Sequence, residues 1–414
     1  MKPSDTPGSG ARRDSRRTPA RVVFVVDSLG LSGKTKALVE IASRLDRRRF
    51  EPRVMCLDKA QGILYDRLSR SGVSVTTLEC PPGLSLKVFR CMARGLVHSG
   101  PDVVHCWNPR AMLVAGAAAR WLGTRAVVGS LSAFACLVPD RRYTYLPQRL
   151  YSRNARSTWR NRLAASLMRV VVAPTEGLGR RFGGHNGIGK DKIRAVGYGV
   201  DLQAPAAISA GEISAVRSML GVAPGGVLVG SVGRLVEQKD YPTQLRAFAE
   251  AARRVPSLRM AIVGAGPLEP ELRALCDALG VGASVVFPGQ HDNVWPILRA
   301  FDVFVLASTF EPYGVVLLEA KAAGCAIVAT RVDQVPEIMS DGRDGILTQP
   351  GSIGEMADAF CRLATDPALR RQAGAAARSA AEARHDIRAV AGRYEALYDE
   401  ALGLDRSRRT RDSH

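Results

Sequence analysis

Twice along this chain a valine-rich, largely apolar run passes into a glycine-containing turn and then a helix-forming stretch. That repeat restricts the fold more than any other feature. The first instance is Arg21-Val-Val-Phe-Val-Val, followed by Asp27-Ser-Leu-Gly-Leu-Ser-Gly33 and a helical pattern from about Thr35 to Leu45. A run without polar alternation is the pattern of a strand buried on both faces, as in a parallel sheet covered by helices. Further strands are predicted at Arg53–Leu57, Val73–Leu78, Val103–His105, Ala126–Val128 and Val170–Ala173. An Ala, Pro and Gly-rich stretch from Gln203 to Gly226 then breaks the pattern and reads as a domain connection. The second series starts with a strand at Val227–Val232 and continues through strands at Arg259–Val263, Val285–Phe287, Val303–Leu306 and Ala326–Thr330. Helices are predicted at Thr243–Arg254 and Glu269–Leu279, through Ile297–Ala300, and over the alanine- and arginine-rich stretches 355–365 and 368–402. A length of 414 residues suits two domains with a core each. The expected architecture is α/β, two Rossmann-like βαβ domains facing each other across a cleft that is the default ligand site. The boundaries are a disordered basic leader at 1–20, domains at 21–200 and 201–385, a terminal helix at 386–403 and a disordered tail at 404–414.

Composition excludes several classes. At 46% hydrophobic and 23% charged residues the chain is globular, and no apolar stretch approaches the ~18 residues of a membrane span. The leader has no apolar core of the secretory type, and the eight cysteines include no C-x-x-C pair, so reduced thiols in the cytoplasm are expected. The histidines show no zinc-type spacing. Of the net charge of +19, the two ends supply +4 and +2, and more than half of the remaining +13 lies in Leu137–Arg169, with eight arginines against Asp140 alone. Tyr143, Tyr145, Tyr151 and Trp159 are interleaved there. Such a segment can rest on an anionic membrane surface, which would place the protein at the inner face of the cell membrane. A solvated arginine-rich loop is the alternative. No nucleic-acid-binding motif accompanies the charge, so a specific nucleic-acid partner is not expected.

The chemistry concentrates in three segments. After the strand Val303–Leu306 the chain turns through Glu311-Pro-Tyr-Gly314 into a helix ending near Gly324, with Glu311 and Glu319 eight positions apart. A helix start at the carboxyl end of a strand favours phosphate, whereas carboxylates beside it favour neutral hydroxyls; together they describe a nucleotide sugar. A capping Glu311 and a surface-paired Glu319 are the plainer alternative. In Gly230-Ser-Val-Gly-Arg234-Leu-Val-Glu-Gln-Lys239, Arg234 and Lys239 emerge after a strand and would reach the same cleft, where a guanidinium and an ammonium can hold a diphosphate. No D-x-D triplet is present, so a metal-bridged diphosphate is not expected. Gly30-Leu-Ser-Gly-Lys-Thr35 is not a Walker A loop, because Ser28 stands where its first glycine belongs, but a tight turn there can approach a diphosphate or sugar.

Together these residues resemble the family 4 glycosyltransferases, retaining enzymes of the GT-B fold, over about 21–400. The resemblance rests on Gly233-Arg234-Leu235 with Lys239, Val263-Gly-Ala-Gly-Pro267, Glu311 through Glu319, Val335-Pro-Glu337, Asp341-Gly342 with Gly345, Pro101-Asp-Val-Val-His105 and Gly199-Val-Asp201. It implies that Arg234 and Lys239 bind the donor diphosphate, Glu319 the ribose hydroxyls and Glu311 the transferred sugar. Amides at Gly314, Val315 and Val316 would reach sugar and phosphate, the Gly289-Gln290-His291-Asp292 segment would lie along the base, and the Gly33 loop would complete the site from the acceptor-side first domain. The final helix would cross back onto that domain. His105 is a candidate acceptor-side residue, with a satisfied core histidine as the alternative. The chain departs from the family at Leu131, where a histidine is usual, at Asp333-Gln334 in place of Gly-Gly, and at Tyr198 in place of asparagine. The implied activity is metal-independent transfer, with retention, of a hexose-type sugar from a UDP- or GDP-linked donor to a glycan or lipid-linked acceptor, without a separate cofactor. A non-catalytic nucleotide-sugar-binding or scaffold protein of the same fold is the alternative, and a sugar-nucleotide epimerase a more distant one.

Overall fold

In a computed structural model, which describes residues 18–81, 83–131 and 158–404, each strand series forms its own sheet. The first holds β1 (Ala20–Val26), β2 (Phe50–Cys56), β3 (Ser74–Thr77), β4 (Val103–Cys106), β5 (Ala126–Ser130), β6 (Val170–Ala173) and β7 (Ile193–Ala195), ordered β3-β2-β1-β4-β5-β6-β7. The second holds β8 (Val227–Val232), β9 (Leu258–Val263), β10 (Val285–Gly289), β11 (Val303–Leu306), β12 (Ala326–Thr330) and β13 (Ile346–Thr348), ordered β10-β9-β8-β11-β12-β13. The pairings flanking each lead strand are parallel, with Phe24 opposite Val54 and His105, and Val229 opposite Met260 and Val303. In each sheet the order reverses beside the lead strand, between β1 and β4 and between β8 and β11. At such a reversal successive loops splay apart at the carboxyl ends and leave a crevice. The Gly33, Arg234 and Glu311 loops follow β1, β8 and β11.

Alternation along each lead strand divides its side chains between two packed faces. Val22, Phe24 and Val26 join one core while Val23 and Val25 join another; Leu228 shares the first core and Val227 and Val229 a third. The core containing Phe24 and Leu228 also holds Tyr198, Tyr313 and Tyr398, so apolar packing continues across the domain boundary.

Three details differ from the sequence expectation. Gln203–Gly226 contains a helix, Ala210–Met219, started by a Ser209/Glu212 capping box and anchored on the second domain through Arg217, which donates to Asp302 (2.9 Å) and to the Ala300 carbonyl (2.8 Å). The edge strands β7 and β13 have three residues each, too few for a periodic signal. The stretch 368–402 is two helices, Pro367–His385 and Ile387–Leu402, separated by a non-helical Asp386. The second crosses back to the first domain, where Arg49 pairs with Glu395 at 2.8 Å and Arg194 with Glu400 at 2.5 Å. Of the expected leader and tail, only residues 18–20 and 404 are described, and Ala20 already belongs to β1. The basic segment 137–169 lies outside the described residues up to 157; beyond that, Thr158–Leu167 is helical with Trp159 exposed. No helix among the described residues is long and apolar enough to cross a membrane. The seven described cysteines are free thiols.

His105 is corrected to a core residue. It is fully buried, does not line the cleft, and its ring nitrogens hydrogen-bond to the Tyr398 and Ser130 hydroxyls, both at 2.8 Å. It therefore ties the returning helix to the first sheet. Burial, with a smaller contribution from Lys34, pushes its pKa down to about 3. An unfolded histidine titrates near ~6.5, so below that pH the unfolded chain binds a proton that the folded chain refuses. Stability should be flat above about pH 7 and fall as acid is added, by about 2 kcal/mol from this group between about pH 7 and pH 5. His385, pushed down to about 4 by burial, acts in the same direction. Urea unfolding at a series of pH values reads the slope, and unchanged stability down to about pH 5 would contradict it.

Candidate functional site

The carboxyl ends of the two sheets enclose a cavity of about 530 Å³, and the sequence-selected residues meet there. Gly33, Arg234, Lys239, His291, Glu311, Gly314, Val315, Val316 and Glu319 all line it. Gly289 does not; its carbonyl accepts from the Gly264 amide at 2.8 Å, and its neighbours Gln290 and His291 form the wall.

Local backbone chemistry sets this convergence. Gly314 has φ +80°, a left-handed conformation that costs a β-carbon-bearing residue about 1–2 kcal/mol. It reverses the chain so that the helix Val315–Ala323 starts at the cavity wall with no side-chain cap. The first amides of that helix are thus available to an anion. Gly264 has φ +140° and packs so closely on the next loop that an added Cβ would lie 1.9 Å from the Gly233 carbonyl oxygen. That approach lets the Gly233 amide bond to Val263 (2.9 Å) and the Leu235 amide to Ala265 (3.0 Å), fixing the loop that carries Arg234.

Glu311 is 6% exposed and held on three sides: Lys239 Nζ lies 2.5 Å from Oε2, the Ser308 hydroxyl donates to Oε2 at 3.1 Å, and the Glu311 amide donates to Asp333 Oδ2 at 2.8 Å. Lys239 therefore does not stand alone facing the cavity, although an ammonium has three donors and one suffices for this contact. Arg234 lies exposed on the rim and forms no ion pair with another described residue. Glu319 comes from the second domain, but its Oε1 accepts from Lys36 Nζ of the first at 3.1 Å. Gly33 sits so close to the helix start that an added Cβ would meet Val315 Cβ at 3.1 Å. The Gly33 helix and the Val315 helix are thus joined across the cleft by the Lys36–Glu319 ion pair and by the close approach of Gly33 to Val315.

The sequence reading missed Lys36 and the role of Asp333. Lys36 lies one turn beyond Gly33 on the same helix, which is its only sequence signal. Asp333 takes φ +43°, a conformation suited to glycine that aspartate tolerates, and puts its carboxylate to use on the Glu311 amide. Gln334 bridges the domains, accepting from Arg181 at 2.6 Å. Leu131, in place of the expected histidine, lines the cavity as an apolar group. Among the described residues no group of three or more His, Cys, Asp or Glu side chains is placed to hold a metal ion.

Two parallel-sheet Rossmann-like domains opposed across a cleft, with the last helix returning to the first domain, define the GT-B class. The Glycosyltransferase Family 4 model matches residues 32–204 and the Glycosyl transferases group 1 model matches residues 215–380. The chain belongs to the family 4 glycosyltransferases. It is similar to the lipopolysaccharide core biosynthesis glycosyltransferase LpsE of Rhizobium meliloti, 35% identical over 161 residues that cover 39% of this chain and 46% of that protein. It is also 35% identical over 219 residues to a D-inositol 3-phosphate glycosyltransferase of Corynebacterium jeikeium, covering 50% and 52% of the two. The match thus spans about half the length of these curated relatives. In three dimensions it resembles Anabaena HepE, crystallised in complex with UDP and glucose, with a TM-score of 0.77, 22% identity, and coverage of 92% of this chain and 100% of that one.

Proposed function

We propose that this chain is a retaining, metal-independent glycosyltransferase that moves a hexose-type sugar from a nucleoside diphosphate donor to a glycan or lipid-linked acceptor in cell-surface polysaccharide or glycolipid synthesis. The observation that carries this reading is that Arg234 and Lys239, the carboxylates of Glu311 and Glu319 and an uncapped helix start all line one cavity. Arg234, Lys239 and the amides of Gly314–Val316 would take the diphosphate, Glu319 would use its second oxygen for a ribose hydroxyl, and Glu311 would meet the sugar. The Gln290–His291 wall would lie along the base. As the glycosidic bond breaks, negative charge grows on the diphosphate, and fixed cations and amide dipoles stabilise it without reorganisation. The acceptor oxygen would attack from the face the diphosphate leaves, and the leaving phosphate oxygen would take its proton. UDP is the first donor nucleotide to test, given the UDP complex of HepE, and GDP the second. The basic segment 137–169 supports work at the cytoplasmic membrane face, where a lipid-linked acceptor would be presented.

Thermal unfolding against a panel of nucleotides tests donor binding. The matching nucleotide at about one hundred times its Kd should raise stability by about 2.7 kcal/mol. Purified protein with the matching nucleotide sugar should release nucleoside diphosphate, and added EDTA should leave that rate unchanged. A nucleotide that binds without any turnover would favour the scaffold reading, and binding of none would reject both.

A further inference from the structure

Tyr313 lies in the Glu311–Gly314 loop yet is only 4% exposed, and its hydroxyl is buried where the chain crosses between the domains. The Tyr198 amide donates to it at 3.0 Å, and it lies 3.4 Å from the Tyr198 carbonyl and 3.5 Å from His385 Nδ1. Tyr198 and His385 belong to the two chain segments that cross between the domains, which are themselves joined: the Val200 amide donates to the His385 carbonyl (2.8 Å) and the Ile387 amide to the Val200 carbonyl (3.1 Å). Gly197 has no room for a side chain, since an added Cβ would lie 2.5 Å from the Tyr313 hydroxyl. The contact continues beyond the crossing. The Tyr198 ring lies 4.7 Å from that of Tyr313 and 6.3 Å from that of Trp107, and Trp107 Nε1 donates to the Lys34 carbonyl at 3.0 Å. Lys34 follows Gly33 in the first turn of the first-domain helix that starts at the cavity. A buried chain of three aromatic side chains therefore connects the donor loop, the interdomain crossing and the Gly33 turn.

Resting on the donor-site reading above, we propose that Tyr313, Tyr198 and Trp107 are positioning residues that hold the Glu311 loop and the Gly33 turn in register across the cleft. Aromatic side chains have few torsions, and packed together they transmit a displacement rather than absorb it. A rotation at the crossing would draw Tyr313, and Glu311 two residues before it, away from the Gly33 turn. The Tyr198 ring packs between those of Tyr313 and Trp107.

Tyr313→Phe keeps the ring and removes only the hydroxyl. Misplacement of reacting groups lowers kcat more than ground-state binding, so kcat should fall by about tenfold or more while the donor KM moves by less than about twofold. Hydrogen exchange gives a readout independent of turnover, using UDP or GDP as the probe. In the wild type the nucleotide should slow exchange at 314–319 and also at the Tyr198 amide. In Tyr313→Phe the protection at 314–319 should remain and that at Tyr198 should be lost. Unchanged kcat, or protection of Tyr198 that survives in the variant, would overturn the proposal while leaving the donor site intact. No protection at 314–319 in the wild type with either nucleotide would instead overturn the donor-site reading beneath it.

Discussion

Arg234→Ala is expected to weaken binding of the donor nucleotide by about 10- to 150-fold, the loss of charge-assisted hydrogen bonds contributing about 1.5–3 kcal/mol. Arg234 has no ion pair with another described residue and lies on the rim, so its removal orphans no buried partner and should leave the melting temperature nearly unchanged. That separation of binding from stability is informative because Lys239 behaves differently. Its ammonium also holds the buried Glu311 carboxylate, so Lys239→Ala should lower both donor affinity and stability. Arg234→Lys should recover only part of the affinity, because an ammonium cannot reproduce a two-pronged contact with phosphate. Isothermal titration with UDP or GDP, beside thermal unfolding, reads both quantities. Donor affinity in Arg234→Ala within about twofold of wild type would remove this residue from the diphosphate site.

The largest stability effect is expected at Lys321, which takes no part in the proposed chemistry. It lies on the helix that opens at Val315 and is fully buried. Its Nζ donates to the Ile338 carbonyl at 2.8 Å and to Asp344 Oδ2 at 2.9 Å, while Asp344 Oδ1 accepts the Ser340 amide at 2.6 Å. Burial pulls the lysine pKa below its usual range, and the Asp344 carboxylate opposes that shift. Lys321→Met removes the cation and leaves a carboxylate that is 2% exposed, with Arg384 at 3.8 Å its remaining cation among the described residues. Breaking a buried pair in this way costs about 3–5 kcal/mol. The double variant Lys321→Met, Asp344→Asn should recover much of the loss, since no uncompensated charge remains. Urea unfolding reads both, and a single-variant loss below about 1 kcal/mol would show that Arg384 and water already satisfy Asp344.

Much of this fold was legible because buried parallel strands carry continuous apolar, valine-rich runs, as in Val22–Val26 and Val303–Leu306. The site was legible where chemistry follows a strand directly: Arg234 after β8 and Glu311 after β11 fall at sheet reversals, and those loops must open into a cleft. What escaped was set by distance across the domains. The Lys36 contact with Glu319 spans 283 positions and carries no local signal. His105 was ambiguous because a strand-end histidine looks the same whether it faces a cleft or, as here, Tyr398 of a returning helix. Asp333 stood out only as a non-glycine; its left-handed backbone and its bond to the Glu311 amide required the folded loop. The helix Ala210–Met219 was announced by Ser209 and Glu212, but the surrounding glycines and prolines concealed it.

A structure with UDP or GDP bound, whichever the panel selects, decides the matter most directly. Expected is a diphosphate within hydrogen-bond distance of Arg234, Lys239 and the Gly314–Val316 amides, with a ribose hydroxyl on Glu319. A nucleotide seated elsewhere, with those three side chains untouched, would contradict the assignment of this cleft as a donor site.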